Sequence, residues 1–146
     1  MNATASTGTA ATNTAATNTA ATTSNLALTI LLVADPARSA AFYRDLLGLE
    51  PAEQSPIFAM FALPSGAGIG LWSAATTAPP PAAAPGAAEL CFREDEVDRL
   101  HAAWAARGIR IAQAPTDMDF GRTFVALDPD GHRVRVFRPA PEESTS

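Results

Sequence analysis

Apolar and polar positions along this chain switch between two periods, and the switch occurs twice in the same order. Leu26 to Ala34 is the longest apolar run, interrupted by Thr29, and reads as a buried strand. Asp35-Pro36 then opens a helix, with Asp35 able to cap free backbone N–H groups and Pro36 placed where no N–H is needed. Phe42 and Leu46 give this helix an apolar face, Ser39 keeps the preceding turn small, and Gly48 closes it. Phe58-Phe61-Leu63 and Ile69-Trp72 follow as short strands around the turn Pro64-Ser65-Gly66.

The second round begins after Ala78–Ala88, where four prolines preclude a helix and favour an extended linker. Glu89–Phe92 reads as a strand, and Asp95 begins a helix with Val97, Leu100 and Trp104 on one face before Gly108 ends it. Ile109–Ala112 and Arg122–Leu127 are strands. Asp128-Pro129-Asp130-Gly131 is a tight turn that folds Arg133–Arg138 back as a hairpin partner. The result is an α+β fold of two βαβββ modules, residues 25–74 and 86–139, within one domain spanning 25–139.

Outside that domain the pattern stops. Residues 1–24 contain only Ala, Thr, Asn, Ser and Gly after Met1, with too few large apolar side chains to offset ordering entropy, so a disordered tail is expected. A short tail is also expected at 140–146.

Ten arginines without a lysine, set against 15 acidic residues, give a net charge of -5 and leave no basic stripe for nucleic acid. No apolar run is long enough to span a bilayer as a helix. The single cysteine, Cys91, cannot form an intramolecular disulfide, and the N-terminus lacks a basic start with an apolar run. A cytoplasmic protein is the expectation. Gly66-Ala-Gly-Ile-Gly70 leads into a strand instead of opening a helix, which removes it as a phosphate loop, and Ser65 lacks a nucleophile elbow.

The module order, together with Ala41-Phe-Tyr-Arg-Asp-Leu-Leu-Gly-Leu49 and Asp128-Pro-Asp-Gly-His132, resembles the glyoxalase, bleomycin-resistance and extradiol-dioxygenase superfamily, the vicinal oxygen chelate proteins. The resemblance implies a cup-shaped mixed sheet, commonly completed by a second copy, hence a homodimer. Enzymes of that superfamily hold a divalent metal with His, Gln or Glu at four inward positions. Judged by distance from the two segments, Leu28, Gly70, Glu89 and Arg135 occupy those positions here. One oxygen donor remains, beside a guanidinium with no lone pair to give, so no bound metal and no cofactor are expected. Glu89 and Arg135 are expected to pair, either as a structural ion pair or to orient a polar group of a ligand. His101 is read as a half-exposed surface histidine, and His132 as ordering its turn.

Within the superfamily the chain resembles phenazine antibiotic-resistance proteins, in Leu71-Trp72-Ser73, in Phe120-Gly-Arg-Thr-Phe124 and from Asp128 through Arg135. That resemblance implies metal-free sequestration of a planar aromatic antibiotic at a dimer interface. From the residues, Trp72 shares strand parity with Gly70 and makes a stacking platform, and Phe58, Phe61, Phe120 and Phe124 are candidates to enclose the guest. Each Phe has core packing as its competing role. Asp117 and Asp119, in a segment without strand alternation, are either hydrogen-bond acceptors for a ligand amine or solvated loop acids. The alternative function is a glyoxalase-type lyase or isomerase, or a metal-free enzyme with Glu89 as base.

Overall fold

The computed structural model describes residues 21–142. The expected tails therefore lie largely outside the described residues, and residues 21–28 have no regular secondary structure. The first module runs β1 (Thr29–Val33), α1 (Pro36–Leu47), β2 (Glu53–Gln54), β3 (Phe58–Ala62) and β4 (Gly68–Ser73). The second runs β5 (Glu89–Arg93), α2 (Val97–Ala106), β6 (Ile111–Met118), β7 (Gly121–Leu127) and β8 (Arg133–Pro139). Each module forms a four-stranded mixed sheet, ordered β1-β4-β3-β2 and β5-β8-β7-β6, whose one parallel pair joins the first and last strands. No helix among the described residues is long and apolar enough to cross a membrane.

Local chemistry sets the start of α1. Asp35, in extended backbone, accepts from the N–H groups of Ala37 (3.1 Å) and Arg38 (3.5 Å), and Pro36 occupies the first turn. Gly48 ends the helix at φ 69°, a conformation that favours glycine, and its N–H donates to Arg44 O. The buried face differs from the expected Phe42–Leu46 stripe. Pro36, Ser39, Ala40 and Tyr43 are buried, and Phe42 and Leu46 flank them half-buried. Small Ser39 and Ala40 let the helix approach the sheet closely, and Tyr43 rather than Phe42 points inward because its hydroxyl has a partner there.

Helix α2 starts two residues later than expected and has no side-chain cap; Glu94 Oε2 instead accepts from the N–H of Glu96 at 3.0 Å. Val97 and Trp104 anchor it against β7, with the Trp104 and Phe124 rings edge-on at 5.4 Å. Strand β6 is longer than expected, reaching Met118. Its pairing with β7 shifts register between Ile111 and Gln113 and again between Gln113 and Thr116, and its sequence, with Pro115 inside and Gln113 at a half-buried position, lacks the apolar–polar alternation that marks a strand. Strand β2, two exposed polar residues, carries no hydrophobic signal at all.

A single cluster of buried residues draws on both modules: Leu31, Val33, Phe61, Ile69 and Leu71 from the first, and Val97, Trp104, Phe124, Val134 and Val136 from the second. The seam between modules is polar, buried at Tyr43–Asp128 and more open at Asp130. Tyr43 Oη donates to Asp128 Oδ2 at 2.8 Å, and the Ala34 N–H and Ser39 Oγ donate to the two oxygens of Asp130. The two sequence segments that carry the family resemblance thus grip one another. Gly86, at φ 120°, clips the linker to the same turn by donating its N–H to His132 Nε2, and a side chain there would meet Asp130 O at 2.7 Å.

Candidate functional site: two unlike walls

Strand alternation gives each sheet one face toward its helix and one face away from it. In the first module the away-facing positions are Ile30 and Leu32 of β1, Gly70 and Trp72 of β4, and Phe58 and Met60 of β3, aligned by the registers Ile30↔Gly70↔Met60 and Leu32↔Trp72↔Phe58. This wall is wholly apolar. Trp72 and Phe58 are half-buried on it. A side chain at Gly70 would lie 3.2 Å from the Phe58 ring and 3.3 Å from Ile30 Cγ1, so the space expected above Gly70 is filled by Phe58. Leu28, just before β1, lies against Gly68 in the same way.

Phe61 does not share this wall. It is fully buried on the helix side of β3, because it lies an odd number of residues from Phe58. Phe124 is likewise fully buried under α2, edge-on to Trp104 and His101. Both are core residues, which corrects their placement among the candidates for enclosing a guest. Phe120 sits in the β6–β7 turn, 45% exposed, with its ring edge-on to Phe137 and beneath the guanidinium of Arg135, 5.7 Å from its centroid.

The second wall is charged. Glu89 of β5 and Arg133 and Arg135 of β8 face the same way, and Glu89 accepts from Arg133 Nε at 2.7 Å on Oε1 and from Arg135 Nε at 2.8 Å and Cys91 Sγ at 3.6 Å on Oε2. The expected Glu89–Arg135 pair is therefore a three-residue bridge. Arg135 also donates through Nη1 to Gln113 Oε1 (3.3 Å) and Thr123 Oγ1 (3.2 Å), and its side chain is only 14% exposed. The Arg135 hydrogen bond, opposed by partial burial and reinforced by Arg133, holds the Glu89 carboxyl below the usual range. Glu89 is therefore a weak base at neutral pH. Cys91 beside it has its thiol pushed up by partial burial and by the Glu89 charge, which disfavours a reactive thiolate.

Asp117 belongs to β6 and turns toward α2. Its carboxylate accepts from Arg122 Nη1 at 3.0 Å, and Arg122 also makes a fork to Asp98 of α2. That engagement removes Asp117 from the wall and corrects its reading as a loop acid. Asp119 lies exposed in the β6–β7 turn. Arg133, Gln113, Thr123 and Met60 were not among the sequence candidates; the period of two through Arg135, Val125 and Phe58 was the available signal.

Among the described residues, Asp128, Asp130 and His132 form the one His/Cys/Asp/Glu cluster compact enough to hold an ion. Its polar atoms are already occupied. Asp128 Oδ1 accepts from the N–H groups of Asp130 and His132, and Oδ2 accepts from Tyr43 and His132 Nδ1. With Gly86 N–H donating to Nε2, the His132 proton resides on Nδ1. The cluster is a fastener between modules.

This fold and these walls define the class. Residues 25–136 match the family model of the glyoxalase/bleomycin resistance protein/dioxygenase superfamily, and the chain belongs to that superfamily. Among characterised relatives it is similar to the phenazine antibiotic resistance protein EhpR of Enterobacter agglomerans, 31% identical over 115 residues that cover 75% of this chain and 88% of that one. Among solved structures it is similar to protein ATC0852 of Agrobacterium tumefaciens, at 43% identity and TM-score 0.73, covering 82% of this chain and all of that one. The antibiotic binding protein TnmS3 of Streptomyces sp. CB03234 shares the fold at 23% identity and TM-score 0.67, covering 83% of this chain and all of that one.

Proposed function

We propose that this protein binds a planar aromatic antibiotic of the phenazine type without a metal, and confers resistance by sequestering it. The observation that carries this reading is the apolar wall, where Trp72 presents a half-buried indole with the Phe58 ring beside it over Gly70. A flat guest gains area burial plus about 0.5–1.5 kcal/mol per aromatic pair from stacking there. The similarity to EhpR supports the choice of guest.

In the assembled site, the charged wall that faces Trp72 is supplied by a second copy of the chain. No hydrogen bond, ion pair or ring contact among the described residues joins Trp72 or Phe58 to Glu89 or Arg135. Ile30, Ile57, Met118 and Phe120 remain exposed on the chain alone. A two-fold dimer sets the aromatic wall of one copy against the charged wall of the other, twice.

Titration with phenazine, read by tryptophan emission with Trp104 as the buried background, tests the reading. Quenching that saturates, persists in a chelator and disappears in Trp72→Ala is expected. Unchanged emission, together with no uptake of phenazine in equilibrium dialysis, refutes it.

A further inference from the structure

We propose that Gly70 is a positioning residue for the guest: lacking a side chain, it draws the Phe58 ring away from Trp72 and keeps one face of the indole open. This role rests on the aromatic-binding reading above and assigns what holds that site ready. Phe58 and Trp72 are directly opposite in the β3–β4 register and share a face. Opposed aromatic side chains at that spacing ordinarily cover one another. Here they do not, since the ring pairs among the described residues are Phe42–Tyr43, His101–Phe124, Trp104–Phe124 and Phe120–Phe137.

The cause lies one row away on β4. On the face away from the helix that strand reads Gly68, Gly70, Trp72, two bare positions leading to the indole. Phe58 leans diagonally over the nearer one, where its Cε1 and Cζ would stand 3.2 Å from a β-carbon on Gly70, and Ile30 Cγ1 closes from β1 at 3.3 Å. The ring thus shields glycine backbone that would otherwise face water, and forgoes contact with Trp72.

Rows two residues apart along a strand are spaced by about 6.6 Å. A flat guest touching a ring on each of its faces needs about 7 Å, two carbon–carbon contact distances. The parked ring and the indole are spaced for a guest one ring thick. A β-carbon at position 70 would crowd the ring, and with Ile30 on the far side its way out is back across Trp72.

The test follows phenazine binding to the full chain by equilibrium dialysis in Gly70→Ala, Gly70→Val, Gly68→Ala and Phe58→Leu. Crowding the ring should raise the phenazine Kd about threefold in Gly70→Ala and more than about 10-fold in Gly70→Val. Both variants should keep or raise the urea midpoint, because Ala and Val cost less than Gly to order in a strand. Gly68→Ala, whose β-carbon would meet Leu28 instead of Phe58, should bind as wild type does. Phe58→Leu removes the two atoms that crowd Gly70, so adding Gly70→Val in that background should weaken binding no further. In the ligand-free protein, Gly70→Val should add an indole–phenyl signal to the near-ultraviolet circular dichroism that the double variant lacks. Wild-type affinity in both Gly70 variants overturns the proposal and leaves the aromatic-binding reading standing. A loss that persists in full in the Phe58→Leu background, or an equal loss in Gly68→Ala, also overturns it, and failure of the wild type to bind phenazine removes both readings.

Discussion

Replacing Tyr43 by Phe removes one oxygen from the seam and nothing else, because the ring is fully buried and keeps its place. The hydroxyl donates to Asp128 Oδ2 at 2.8 Å in a fully buried setting. Burial and the Asp128 charge push the Tyr43 hydroxyl far above its ordinary range, so it stays a donor at every accessible pH. Burial alone would raise the Asp128 carboxyl, but hydrogen bonds from His132 and Tyr43 outweigh it and hold the group below the ordinary carboxylate range. Losing a donor to a buried charge costs about 1.5–3 kcal/mol. For a domain of this size that lowers Tm by roughly 5–12 °C.

The pH dependence gives the argument a second check. A depressed folded-state pKa means that Asp128 contributes its stability above the unfolded value, near about pH 4, and loses it as pH falls through the folded one. Tyr43 favours the ionised form, so the gap between wild type and Tyr43→Phe is full at pH 7 and narrows in acid. Urea unfolding, followed by far-ultraviolet circular dichroism at pH 7 and at steps below pH 5, measures it. Identical midpoints at pH 7, or a gap that widens in acid, refute the assignment of the Tyr43–Asp128 bond as the buried fastener of the modules.

Four other outcomes follow from the same geometry. Phe124→Ala should cost about 3–5 kcal/mol in chemical denaturation, as expected for a fully buried ring, whereas Phe58→Ala should cost less and lower phenazine affinity instead. Gly86→Ala should destabilise the protein by more than about 1 kcal/mol, since its positive φ and the nearby Asp130 carbonyl both exclude a side chain; thermal melts decide it. Glu89→Gln should leave the fold intact but loosen the charged wall by releasing the two arginine forks, lowering phenazine affinity several-fold in isothermal titration. Adding a chelator should leave phenazine affinity unchanged in the same titration.

Much of the fold was legible because local chemistry announces it. Asp35-Pro36 and Gly48 bracket α1 as their cap chemistry predicts, and the turn at Asp128–Gly131 lies where expected. Strand β6 was not legible beyond Ala112, since Pro115 and the polar Gln113, Thr116 and Asp117 give it no apolar alternation, and two polar residues could not declare β2. The candidate site was read less well. Phe58 and Phe61 cannot share one face of a strand, a constraint already contained in their spacing. The bridge from Glu89 to Arg133 was within reach of the same parity argument that found Arg135. The Tyr43–Asp128 bond was out of reach, because partners 85 residues apart are joined only by the tertiary fold.

The polar seam also changes what a short motif match is worth. Asp-Pro-Asp-Gly-His and the Tyr-bearing helix serve as joinery, so finding them in a genome reports the shape of the product and is silent about its cargo. That information resides at every second position of a few strands. Exchanging a handful of those side chains can change what the two walls accept without loosening a single joint.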